Sequence, residues 1–180
     1  RTLQSAAYVA TDARAYWLDA GTLRWPNAPA EARYRLHASA DAGLQVERGQ
    51  PVRDAAHAIT LEPAVTLDGN ITARFGFVPA GAQLRLPRAM QGRLSELLRG
   101  QVLLVREDAQ GRVLDATYLQ TPGALDALHA AADAAVLGAI PHKDATDFAV
   151  WAPTARRVAV CLYADSAGAS SEAVALQRNA

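Results

Sequence analysis

The chain has only one cysteine, Cys161, so it cannot form an internal disulfide, and cysteine usage does not decide the redox compartment. Cys161 lies in the run Val-Ala-Val-Cys-Leu-Tyr and reads as a small buried strand residue. There is also no excess of charge: 18 lysines and arginines balance 18 aspartates and glutamates. A neutral chain sets up no broad field, which argues against nucleic acid or an anionic membrane as partner. No apolar run approaches the roughly 20 residues of a bilayer-spanning helix, so no membrane span is expected. No basic start leads into an apolar signal core. Since the sequence begins at Arg1, any targeting signal is expected upstream of it.

Chemical signatures are equally scarce. None of His37, His57, His129 and His142 lies three or four residues from another histidine or from Cys161, so no metal site is expected. Each reads as a strand-face, loop or helix-surface residue. There is no Gly-x-Ser-x-Gly elbow, no phosphate loop and no dinucleotide fingerprint. Glycoside hydrolysis needs two carboxyl groups about 5 to 9 Å apart. The candidates Glu107-Asp108 and Asp144/Asp147 fall in turns or linkers, where acidic residues are favoured by local hydrogen bonding, so they read as solvated. No catalytic residue is assigned.

What is present is a core. At 180 residues and 51% hydrophobic, the chain can fill one ordinary domain plus part of another. Ala15 to Pro26 gathers aromatic and β-branched residues around Asp19-Ala-Gly21, a hairpin pattern. Tyr34, Leu36 and Ala38 alternate with Arg35, His37 and Ser39, which predicts a strand with one wet face and His37 pointing outward. Ala58 to Pro63 gives a short strand. Ile71, Ala73, Phe75 and Phe77 recur every second residue, the plainest strand pattern in the chain. Met90, Leu94, Leu97 and Leu98 share a helical face, with Gly100 placed for a left-handed cap. Gln101–Arg106 and Arg112–Gln120 form a hairpin across Asp108-Ala-Gln-Gly111. Thr121-Pro122 opens a second helix through the alanine-rich stretch to Leu137, ended at Gly138.

Ile140-Pro141-His142-Lys143-Asp144 then reads as a linker, and a new unit begins. Its strands Phe148–Ala152 and Val158–Tyr163 flank the turn Pro153-Thr154-Ala155-Arg156. About 40 residues are too few for an independent core, so this unit is expected to be incomplete. The expected fold is mainly β. An immunoglobulin-like β-sandwich with two short helices covers residues 1–138, and an incomplete second sandwich covers 139–180. Trp17, Trp25 and Trp151 first read as core residues. Their flat indoles also suit the apolar faces of sugars, which makes Trp17 and Trp25 the candidate carbohydrate-binding residues.

Two stretches carry a resemblance. Tyr16-Trp17-Leu18-Asp19 through Leu23-Arg24-Trp25-Pro26, then Tyr34-Arg35-Leu36, resembles the β-sandwich domain of pullulanases and limit dextrinases. Phe148-Ala-Val-Trp-Ala-Pro-Thr-Ala155 followed by Val158-Ala-Val-Cys-Leu-Tyr163 looks like the opening of a family-48 carbohydrate-binding module, and Gln120 to Asp126 is similar to the connection between the two. The resemblance implies the non-catalytic N-terminal region of a glycoside hydrolase family 13 debranching enzyme. Such a parent hydrolyses α-1,6-glucosidic linkages by retaining double displacement in a (β/α)8 barrel whose catalytic motifs do not occur here. It further implies neighbouring modules of the parent chain and α-glucan (pullulan, starch or glycogen) as partners. It implies no cofactor in this chain, calcium only in the parent, and a secreted or cell-surface bacterial location.

Overall fold

The alternation around Asp19-Ala-Gly21 folds as expected. The computed structural model describes residues 12–64 and 66–178. In it β1 (Ala15–Trp17) and β2 (Thr22–Pro26) pair antiparallel, Trp17 opposite Leu23. Asp19 shapes the turn, its Oδ1 accepting from the backbone N–H groups of Gly21 and Thr22 at 2.7 Å each. β3 (Arg33–Ser39), β4 (His57–Thr60), β5 (Glu62–Pro63), β6 (Gly81–Arg85), β7 (Gln101–Glu107), β8 (Val113–Thr117) and β9 (Leu119–Gln120) complete two sheets. One has the order β5-β6-β2-β1-β9, with β9 parallel to β1; the other is antiparallel, β4-β3-β7-β8.

Apolar side chains of the two sheets share one core. Trp17, Leu23, Trp25 and Leu84 come from the first, Tyr34, Leu36 and Leu104 from the second. That packing is a β-sandwich, and each fully buried large side chain contributes about 1.5 to 3 kcal/mol.

The other face of the second sheet is partly covered. Leu44 and Val46, in the segment 40–56, join Leu103, Val105, Val113 and Ala116 in a second apolar cluster. Backbone bonds fasten this strap to the edge of β8, from Gly49 N to Val113 O (2.8 Å) and from Val113 N to Gln50 O (2.9 Å). His37, expected to point outward, is therefore only 4% exposed.

Where Ile71 to Phe77 predicted a strand, the chain forms the helix α1 (Gly69–Arg74). Asp68 caps it, its carboxylate accepting from Asn70 N at 2.8 Å and its carbonyl from Thr72 N at 2.9 Å. Ile71 and Phe75 are four apart, a spacing that fits a helical turn as well as a strand. The cap decides between them, and Phe75 packs with Leu18 and Val78 in a third cluster.

The single helix expected from Met90 to Leu98 is two short ones, α2 (Arg88–Gln91) and α3 (Leu94–Leu97), broken at Gly92. Gly100 is not a left-handed cap. Its missing side chain admits the Ser39 carbonyl, which would lie 2.6 Å from a Cβ there. α4 (Pro122–His129) starts with proline in its first turn as expected, although the Thr121 side chain makes no capping bond. It passes into a 3₁₀ turn over Ala130–Ala134 instead of reaching Leu137. Among the described residues the two helices expected are thus three short ones and a 3₁₀ turn, and α1 adds a fourth where a strand was expected. Gly123 lets α4 close on the end of β1, since a Cβ there would be 2.0 Å from Leu18 O.

The chain divides into two units between Ala130 and Ala131, ahead of the border expected at residue 138. In the second unit β10 (Gly138–Pro141) pairs antiparallel with β11 (Thr146–Ala149), and β12 (Ala159–Tyr163) with β13 (Ser170–Ala175). The expected linker is therefore half strand. The pairing expected across Pro153–Arg156 does not form: β11 pairs instead with β10, across the turn closed by the bond from His142 N to Ala145 O (2.7 Å), and β12 with β13.

Candidate functional site

Both candidate indoles point into the sandwich. Trp17 is 0% and Trp25 2% exposed, so neither offers a face to a sugar, and the carbohydrate role expected for them is not carried by this geometry. Trp25 shows why most directly. On one side lies the Tyr34 ring, 5.9 Å away and tilted by 59°. Over the indole lies the Arg14 guanidinium at 5.3 Å, in the place a stacked ligand would need. Arg14 is itself held on β8: Nη1 and Nη2 donate to the two oxygens of Asp115 at 3.1 and 2.9 Å, and Nη2 also to the Ala116 carbonyl at 2.7 Å. Burial alone would raise the Asp115 carboxyl, but the fork from Arg14, with the Ala116 N–H, outweighs it and holds Asp115 below the usual carboxylate range. The same carboxylate holds Arg14 above its ordinary value.

Beneath the strap lies a polar cluster that the alternation pattern missed. His37 Nε2 and Glu107 Oε1 are 2.8 Å apart, and both residues are buried. Arg35 Nη1 stands 3.6 Å and Arg33 Nε 4.0 Å from Glu107 Oε2. Glu107, expected in a solvated turn, is instead the last residue of β7, with Arg33 as its cross-strand partner. The apolar residues Leu44 and Val46 in the strap were the one signal that this face is covered. The cluster ties β3 to β7 and lies under cover, so it acts as a fastening rather than as an acid–base pair open to substrate. Asp147, by contrast, sits on the surface with its Oδ2 2.9 Å from His142 Nε2.

The exposed aromatics are others. Phe77 follows α1 and is 70% exposed. In the second unit Trp151 is 46% and Tyr163 58% exposed, and Cys161 is exposed as well. Trp151 and Cys161 were expected in a core; Trp151 instead follows β11 outside any strand, and Cys161 lies on the two-stranded β12–β13 sheet. Among the described residues no group of three or more histidine, cysteine, aspartate or glutamate side chains gathers to hold a metal, and no helix is long and apolar enough to cross a membrane.

Residues 12–127 match the Pullulanase N2 domain. The chain belongs to the pullulanase N2 family. Residues 136–180 match carbohydrate-binding module 48, the isoamylase N-terminal domain. The pullulanase of Klebsiella pneumoniae is 31% identical over 159 residues, 88% of this chain and 14% of the relative. The chloroplastic pullulanase 1 of Arabidopsis thaliana is 31% identical over 151 residues, 83% of this chain and 15% of the relative. A crystal structure of Klebsiella pneumoniae pullulanase complexed with maltotriose superposes with a TM-score of 0.81 at 27% identity, covering 96% of this chain and 16% of that one. The chain thus spans about one-seventh of the curated pullulanases that it matches. Within it, the N2 match contains the whole of both large sheets, and the module-48 match contains Trp151, Cys161 and Tyr163.

Proposed function

We propose that this chain is the non-catalytic N-terminal region of a pullulanase-type debranching enzyme, which hydrolyses α-1,6-glucosidic linkages of starch or glycogen in a barrel elsewhere in the parent polypeptide. Its own role is architectural, with weak retention of α-glucan. The observation that carries this reading is the succession of two matches, N2 and then module 48, covering nearly the whole chain in one order. The burial of the His37–Glu107 pair supports a non-catalytic role. In the second unit, exposed Phe148, Val150, Tyr163 and Val174 suit a surface that neighbouring modules of the parent cover. The parent meets its polymeric substrate outside the cell, secreted or at a bacterial surface, and any calcium requirement belongs to its other modules.

Native electrophoresis of the 180-residue chain through gels with and without pullulan or amylopectin tests the retention. Slower migration in the polysaccharide gels is expected; equal migration removes the glucan-holding role and leaves the architectural one. The coding sequence on either side tests the rest. It should encode a (β/α)8 barrel with an aspartate nucleophile and a glutamate acid/base, and a gene without a barrel would overturn the debranching assignment.

A further inference from the structure

We propose that Phe77 and Tyr16 form a binding platform for one glucosyl unit of an α-glucan, on the outer face of the first sheet and apart from the module-48 match. The class of ligand rests on the function proposed above; the place rests on the geometry. Phe77 has a largely exposed ring that is nonetheless braced. The Tyr16 ring stands 6.3 Å away at 78°, and the Phe75 ring 6.1 Å away at 45°. Phe75 is itself buried with Leu18 and Val78. Two rings nearly at right angles make a corner, and a ring already held loses little freedom when a ligand stacks on it.

The surroundings of the corner are polar and planar. Tyr16 is the cross-strand partner of Arg24 on β2 and of Gln120 on β9, and Arg24 is opposite Gln83 on β6. This row alternates with the buried row of Trp17, Leu23 and Leu84, so it lies on the sheet's outer face. Arg24 Nη1 donates to the carbonyl of Val78 at 3.1 Å, which fixes the guanidinium beside the residue that follows Phe77. Its Nη2 lies 3.4 Å from Gln83 Oε1. A flat apolar face flanked by amide and guanidinium groups matches a pyranose ring, apolar on its face and ringed by hydroxyls. A protein partner fits less well. Among the described residues of the first unit, the other exposed large hydrophobic side chain is Leu114, on β8 in the opposite sheet, so Phe77 is not part of an apolar patch.

The test is a titration of the 180-residue chain with maltoheptaose, followed by backbone amide NMR. Signals of Tyr16, Gly76 and Phe77 should shift. Phe77→Ala should weaken binding about five-fold, the scale of one aromatic contact, and Phe77→Leu should weaken it similarly because it keeps apolarity without a flat face. Phe77→Trp should keep it. Unchanged affinity in Phe77→Ala overturns the proposal. If Tyr163→Ala then abolishes binding, the sugar sits in the second unit and the glucan-holding function stands without this site. If the wild-type chain shows no shifts at all, the platform and the glucan-holding function fall together.

Discussion

β3 alternates apolar with polar residues and β12 is apolar throughout, yet it is β3 that ends in the drier environment. β3 pairs on both sides, packs its Tyr34–Leu36–Ala38 face on the first sheet and has part of its other face under the strap. Among the described residues β12 pairs only with β13, and Cys161, Leu162 and Tyr163 are exposed. The difference lies in the neighbours, not in the strand. A two-stranded ribbon by itself has no second layer on which to bury either face, whereas a sandwich with a strap buries one face and part of the other. The first unit therefore carries its own stabilising core, and the second presents its apolar side chains outward.

Substitutions at matched positions can break that comparison. The largest effect is expected for Trp17→Ala, which empties the shared core and should cost about 3 to 5 kcal/mol in chemical denaturation. A loss under about 1 kcal/mol would mean the two sheets are not packed as one core. Next comes the fastening under the strap. Glu107→Ala leaves His37 buried without its partner, with the charges of Arg33 and Arg35 uncompensated, and should cost about 3 kcal/mol. In a double-mutant cycle with His37→Leu the two losses should fall short of additivity.

Asp115 gives a smaller, pH-dependent effect. Its carboxyl lies below its ordinary value in the folded state, so the Arg14 fork stabilises above the unfolded-state carboxylate range. That contribution is lost as pH falls through the lowered folded value. Wild type and Asp115→Asn should therefore differ most near neutral pH and converge in acid; a gap that widens on acidification would contradict the fork. Smallest of all is Val150→Ser in the second unit, which should change the stability of the 180-residue chain by less than about 0.5 kcal/mol. In the longer parent the same substitution should cost more, if neighbouring modules cover this face. Equal, negligible effects in both would remove that cover.

Much of the first unit was legible in the sequence because its signals are local. The Asp19 turn, the Asp108 loop with Oδ1 accepting from Gln110 and Arg112 N–H groups, and the proline opening of α4 each depend on residues within a few positions. The alternation of Tyr34, Leu36 and Ala38 named the core face correctly. The candidate site was less legible. Aromatic identity singled out Trp17 and Trp25, but exposure depends on what covers a ring, and Tyr34 and Arg14 cover Trp25. Phe77 was read as a strand residue because its period-two spacing hid a helix that Asp68 caps.

By itself, then, the sequence determined the chain's class, most of its strands and turns, and its family resemblance, since periodicity and side-chain-to-backbone bonding act over a few residues. Only the tertiary structure decided that His37 is buried against Glu107, 70 residues away, and that the strap covers part of the second sheet's outer face. It likewise decided that, among the described residues of the first unit, Phe77 is exposed and Trp25 is buried. Burial is a property of segments brought together across long separations, and no local pattern records which segment will arrive.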